Sequence, residues 1–299
     1  LKVGAMSLRL EMLQVARLSP KLLGESRDLV EEFLRGQQNA DGGFKDRSGN
    51  SDLYYTVFGT EGLMALRSDI PLSSIAAYLR SFVNGEALDF IHLTCLVRCW
   101  AALPSEFSSD VPRVQILERI EAFRTPDGGY SVTPGASSGT VYGCFLALGA
   151  YQDCGIDMPQ AERLLNCISA LQAEDGGYAN QDDMPIGLTP STAAAVTLLR
   201  QFHQPIEPQL SDWLLERHHG EGGFYATPLA PIPDLLSTAT ALHALAGMQV
   251  DLEPVKEPCL DFIDTLWTNK GAFYGHWDDD CADCEYTYYA LLALGHLSL

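Results

Sequence analysis

One turn signature constrains this chain more than any other feature. Asp41-Gly42-Gly43-Phe44, Asp127-Gly128-Gly129-Tyr130 and Asp175-Gly176-Gly177-Tyr178 are three close copies, Glu221-Gly222-Gly223-Phe224 is a near copy, and Lys270-Gly271-Ala272-Phe273 is a worn one. The second Gly falls at 43, 129, 177 and 223, giving intervals of 86, 48 and 46. The first interval holds two units, so a degenerate copy belongs near Asn84-Gly85-Glu86. Six units result, and a repeat of this period means an array of supersecondary units.

Each unit reads as a helical hairpin. An amphipathic helix comes first, as in Met158–Gln172, where Leu164, Leu165, Ile168 and Leu171 mark one face. The Gly pair then stops the helix. A polar loop follows, and a second helix begins at Ser or Asp. Leu53–Leu66, Val141–Ala150, Ser237–Met248 and Tyr286–Leu297 are apolar nearly all round, so they must be covered on every side. The simplest arrangement is all-α, an α/α toroid: second helices inside, amphipathic ones outside, and six polar loops gathered at one rim. An open α-solenoid is the competing arrangement. The whole chain, 1–299, reads as one domain, with repeats over roughly 23–299 and an extra helix near Met6–Leu18 within residues 1–22. Residues 1–5, ahead of Met6, read as an appendage to it.

Charge and cysteine content narrow the function. With 19 basic against 39 acidic residues, the net charge is −20. No basic run offers a nucleic-acid surface, and no apolar stretch has the length of a membrane span. Most of the eight cysteines sit in apolar helical segments, as free thiols do, so a reducing compartment and a cytoplasmic address are expected.

The units resemble those of the β subunits of protein prenyltransferases, especially the Rab geranylgeranyl type, and more distantly class II terpene cyclases. The likeness rests on Gly36–Phe44, Ser51–Gly59, Pro233–Ser237 and Asp283–Thr287 and spans roughly residues 20–299. It implies an apolar central cavity for an isoprenoid, either a prenyl diphosphate or a prenylated partner. Tyr54, Tyr55, Phe58, Trp100, Tyr142, Phe145, Tyr286, Tyr288 and Tyr289 are candidate lining, although aromatics at helical spacing also serve as packing core. It also implies a helical α-subunit-like partner or self-association.

The transferase chemistry carries over only in part. Asp234 matches the family's zinc Asp, but Leu236 stands at the Cys position and Tyr286 at the His position. Ser137 replaces a diphosphate-binding His, and the loop Tyr225–Pro231 has no cation. A shifted register offers an alternative. Lys45 and Arg47 follow Gly43 as in the family's Gly-Gly-Phe-x-x-Arg loop, and ring closure would bring Asp52 toward Asp283 and Glu285. There His276, Cys281 and Cys284, with Asp234, are candidate zinc ligands; the competing reading is two helix-start thiols beside solvated acids. In the cyclases a carboxylic acid at an inner-helix start protonates an alkene or epoxide, and Glu285 fills that place imperfectly. Three functions follow: an isoprenoid-binding, prenyltransferase-like toroid with transfer in doubt, a non-catalytic lipid-binding or interaction scaffold, and a small terpene-cyclase-like enzyme.

Overall fold

A computed structural model describes residues 6–299; residues 1–5, read above as an appendage, lie outside it. The chain opens with α1 (Leu8–Ala16) and continues as six helical hairpins. The outer members are α2 (Arg27–Gly36), α4 (Leu72–Arg80), α6 (Arg113–Glu121), α8 (Ala161–Ala170), α10 (Gln209–Leu215) and α12 (Glu253–Thr265). The inner members are α3 (Leu53–Ala65), α5 (Phe90–Ala102), α7 (Val141–Cys154), α9 (Thr189–Gln201), α11 (Leu235–Gly247) and α13 (Cys284–Leu297). Each inner helix packs against two others, and α13 returns to α3. The ring is closed, which removes the open solenoid.

The two helix classes differ as their sequences require. Helix α2 buries Val30 and Leu34 and leaves Glu31 and Arg35 outside, paired at i,i+4. Helix α13 buries every residue from Ala290 to Leu297. The turns hold the hairpins in register. The first Gly takes φ values of +99°, +96°, +88°, +103° and +83° at 42, 128, 176, 222 and 271, the region that favours glycine. A Cβ on Gly42 would lie 2.0 Å from the Ser74 carbonyl oxygen of α4, and one on Gly271 would lie 2.0 Å from the Leu29 carbonyl oxygen of α2. The last turn therefore docks on the first outer helix just as the turns at Gly42, Gly128 and Gly222 dock on the next outer helix.

A second device was not evident from the repeat. The N–H of the turn aromatic donates to a Thr hydroxyl four residues past the inner-helix N-cap: Phe44 to Thr56 (2.9 Å), Tyr178 to Thr192 (2.8 Å), Phe224 to Thr238 (2.9 Å) and Phe273 to Thr287 (3.4 Å). All four donors and acceptors are buried, so each bond satisfies a backbone group that water cannot reach. The outer helices end earlier than the periodicity predicts. Gln172 leaves the helix to form a β-bridge with Tyr178, and its side-chain amide donates to the Gly176 carbonyl.

Helix α1 lies across the C-terminal ends of the inner helices. Its Leu8 N–H donates to Gln152, Arg9 pairs with Asp153 at 3.2 Å and donates to the Ala101 carbonyl, and Arg17 donates to the Met64 carbonyl. Glu11 meets Arg200 and Gln201. The extra helix predicted from the sequence thus closes one end of the ring. The molecule is a cup with a floor, and its mouth is at the inner-helix N-termini.

Candidate functional site

The cup encloses a cavity of about 250 Å³. Its upper wall is aromatic: Tyr54 and Phe58 from α3, Tyr142 and Phe145 from α7, and Tyr289 from α13. Tyr54 and Phe58 meet edge to face with centroids 4.9 Å apart, and Phe58 and Tyr289 lie 5.5 Å apart. Gly149, Ala193 and Ala194 leave the space open lower down. The lower wall and floor are not apolar. Arg98 binds Glu61 through two parallel contacts of 2.7 and 2.5 Å, and Arg9 of α1 binds Asp153. Glu61 is 1% exposed. Burial pushes the Asp153 carboxyl up to about 6 against the pull of Arg9 and Arg98.

Glu285 is the acid at the mouth end of this cavity, as Asp153 is at its floor. It sits in the first turn of α13, where Asp283 supplies the N-cap by accepting from the Tyr286 N–H at 2.9 Å. The Tyr54 hydroxyl donates to Glu285 Oε1 at 2.6 Å. Burial raises the Glu285 carboxyl to about 7; the Tyr54 hydrogen bond offsets only part of this, and the neighbouring Asp283 adds to it. A substantial fraction is therefore a neutral carboxylic acid near pH 7.

The first and last units meet beside it. Arg47 reaches across the seam, with Nε 2.8 Å from Asp283 Oδ2 and Nη1 and Nη2 3.1 and 2.9 Å from the two Asp279 oxygens. Its guanidinium also stands 5.5 Å over the Tyr286 ring. Asp52 does not turn toward this cluster. One of its oxygens caps α3 by accepting from the Tyr54 N–H, and the other lies 3.0 Å from His92 Nε2 in the next unit. The other His92 nitrogen lies 2.8 Å from Asp89. The Asp52 hydrogen bond, with help from Asp89 and against burial, raises His92 to about 9, so it is a cation at pH 7. Asp46, Arg47, Asp52, Tyr55 and His92 line an open groove on the rim, and Tyr54 and Tyr142 line both this groove and the cavity.

The structure thus gathers Tyr54, Tyr142, Tyr289 and Glu285 at the cavity, and Arg47, Tyr55, Tyr286 and Asp283 around the seam. It leaves others apart. Lys45 turns back to cap α2, with its ammonium 2.7 Å from the Gly36 carbonyl. Trp100 is buried and has the Arg80 guanidinium of outer helix α4 over its ring at 5.8 Å, so it serves the hairpin packing and does not line the cavity. Tyr288 is buried and does not line it either.

Asp234 is the candidate zinc ligand on the family pattern, and His276, Cys281 and Cys284 are candidates in the shifted register. Among the described residues, no three His, Cys, Asp or Glu side chains come together as a metal site. Asp234 spends both oxygens on Ser237 as the α11 N-cap. Cys284 is wholly buried, and in the absence of a metal desolvation drives its thiol up.

The sequence reading missed Arg9, Glu61, Arg98, Asp153 and His92 as members of the site. Glu61 and Arg98 carried a usable signal: each is a lone charge in a helix otherwise apolar all round, and such a charge needs a partner.

No curated protein matches this chain in sequence. Among solved structures it is similar to apo type II terpene cyclase MstE from Scytonema, at 16% identity and TM-score 0.62, covering 93% of this chain and 97% of that one. It is similar to Candida albicans protein geranylgeranyltransferase-I complexed with GGPP, at 17% identity and TM-score 0.51, covering 95% and 81%. A polysaccharide lyase aligns at 12% identity and TM-score 0.59, covering 94% and 97%. At these identities the likeness speaks for the fold, which hosts unrelated chemistries. The family described as prenyltransferase alpha-alpha toroid domain matches residues 15–95, 73–195 and 192–298. With six hairpins closed into a ring and this match along nearly its whole length, the chain belongs to the prenyltransferase α/α-toroid family.

Proposed function

We propose that this protein takes an isoprenoid chain into the cup. The observation that carries the reading is the aromatic-walled cavity reached from the rim between Tyr54 and Tyr142. Apolar walls reward burial of a hydrocarbon chain at about 25 cal/mol per Å², and a few polar groups at one end fix its orientation. Solved relatives of the same fold are described with a geranylgeranyl compound or GGPP bound. The test uses Gly149, which lines the cavity and has no atom within 4 Å of where a Cβ would be. Gly149→Phe fills the cavity from its wall. We expect at least about a tenfold loss of isoprenoid affinity by tryptophan-fluorescence titration, with an unchanged circular-dichroism spectrum. Undiminished binding in that variant rejects the cavity as the site. A wild type that binds no isoprenoid leaves the interaction-scaffold reading.

Glu285 favours a second, catalytic reading: proton-initiated cyclisation. A neutral carboxylic acid in an aromatic wall can give its proton to an alkene carbon. The π electrons form the new C–H bond, Glu285 becomes the carboxylate, and the faces of Tyr54, Phe58 and Tyr289 stabilise the resulting carbocation. Proton loss from the cyclised cation completes the balance. Zinc-dependent transfer gains no such support, because the residues at the family's thiolate and imidazole positions are Leu236 and Tyr286.

A further inference from the structure

The charges around the mouth bear on which isoprenoid the cup admits, and this inference rests on the reading that it admits one. Prenyl chains arrive in metabolism on a diphosphate, and a diphosphate needs uncommitted cations to hold it. The rim has two cations facing the groove, and both are committed. All three nitrogens of Arg47 are bonded to Asp279 and Asp283. Both ring nitrogens of His92 are held by Asp52 and Asp89. Lys45 faces away, onto the end of α2. Asp46 and Asp52 line the groove itself, and with Asp89, Asp279 and Asp283 bonded to its cations, two cations stand against five acids before Glu285 is counted.

The acids also show what the mouth can hold. Asp46 uses only Oδ1, for the N–H groups of Ser48 and Asn50, and Glu285 uses only Oε1, for Tyr54. The second oxygen of each makes no hydrogen bond among the described residues. One belongs to the groove and the other to the cavity, and the two regions share Tyr54 and Tyr142. Asp46 Oδ2 is an acceptor, suited to a hydroxyl hydrogen and repulsive to a phosphate oxygen; Glu285 Oε2 accepts from a hydroxyl when ionised and donates to a hydroxyl oxygen when protonated, so a hydroxyl suits it in either state. The deeper cations sit at the floor, away from the mouth, and their charges are offset by Glu61 and Asp153, although Arg9 Nη1 makes no hydrogen bond among the described residues.

We propose that the ligand of this cup is an isoprenoid whose head is an uncharged, hydroxyl-bearing group, an alcohol or a phenol, and not a prenyl diphosphate. The protein then acts after a reaction that has already removed the diphosphate, either by hydrolysis or by transfer of the prenyl group to an acceptor.

The experiment compares matched pairs on the full chain: farnesol against farnesyl diphosphate, and geranylgeraniol against geranylgeranyl diphosphate, each with and without Mg²⁺. The expected result is an alcohol bound at least about tenfold tighter than its diphosphate in both conditions. A diphosphate bound as tightly or more tightly, in either condition, overturns the proposal while leaving isoprenoid binding intact. Binding of neither head class by folded protein defeats the isoprenoid reading itself. Asp279→Asn provides the second arm. It keeps an acceptor for one of the Gly275 and Cys281 N–H groups, which bond different Asp279 oxygens, and removes one negative charge from Arg47. The alcohol-to-diphosphate ratio should shrink by about threefold or more; an unchanged ratio in that variant overturns charge as the basis of selection.

Discussion

The two ends of the cup use the same chemical groups for different ends. At the floor, Arg98–Glu61 and Arg9–Asp153 join inner helices to one another and to α1, out of reach of bulk water. At the mouth, Arg47 joins loops of the first and last units; its side chain is 39% exposed, over Asp279 and Asp283 carboxylates that are 6% and 5% exposed. Burial decides what each pairing is worth. A buried pair is costly to break because the survivor is left unpaired in low dielectric, whereas an exposed pair contributes little net energy. The floor charges therefore contribute more to holding the ring together, and on the proposal made above the mouth charges select what enters it.

The sharpest way to break this contrast is a pair of substitutions. Glu61→Ala strands Arg98 and should cost about 3–5 kcal/mol of unfolding free energy by denaturant titration. Arg47→Ala takes the cation from the buried Asp279 and Asp283 carboxylates and should cost about 1–3 kcal/mol, the smaller loss because Arg47 itself is partly solvated. Equal losses would remove the distinction between the two ends. Next in size is Glu285→Gln. If the mouth acid protonates a bound alkene, turnover of a polyprenyl alcohol falls by about 10² or more, with affinity kept within about threefold. Unimpaired product formation by mass spectrometry would exclude Glu285 as the proton donor.

The pH dependence is smaller and runs in one direction at both ends. Glu285, at about 7, lies above its unfolded value of about 4.3. The folded state therefore holds the proton more tightly, and stability falls as pH rises from about 4.5 to 7. Asp153, raised to about 6 by burial, contributes with the same sign at the floor. His92 is raised above its unfolded value to about 9, so its contribution is complete below about 6.5 and is lost as pH rises through 9. Thermal melts should show Glu285→Gln flattening the lower window and His92→Asn the upper one; the opposite assignment would contradict the geometry. The smallest effect belongs to Cys281→Ser. A half-buried loop thiol outside any metal site should change stability by about 0.5 kcal/mol or less, and metal analysis should show no difference from wild type.

The ring was legible in the sequence because Gly-Gly turns tolerate few alternatives, and their spacing counted six units directly. The meeting of first and last units followed from closure. The partners across that seam did not. Asp52 was expected to approach Asp283, yet its carboxylate is used up as a helix cap and by His92, and Arg47, farther out on the loop, makes the crossing. Loop reach and cap geometry are set by backbone angles that a residue pattern does not encode. The floor was hidden for another reason: its charges lie in helices whose mean character is apolar, and α1 supplies half of one pair from more than a hundred residues away. Trp100 failed as a cavity residue because helical spacing states that a face is buried without stating against what.

Helix α1 turns a tube into a vessel with one door. Whatever goes in must come out the same way, so the polar end of a guest is the last to enter and the first to leave. A flexible guest that becomes rigid inside must still pass Tyr54 and Tyr142 on its way out. The width of that doorway, more than the size of the room behind it, would then cap the girth of the product and set the pace at which the next guest is admitted.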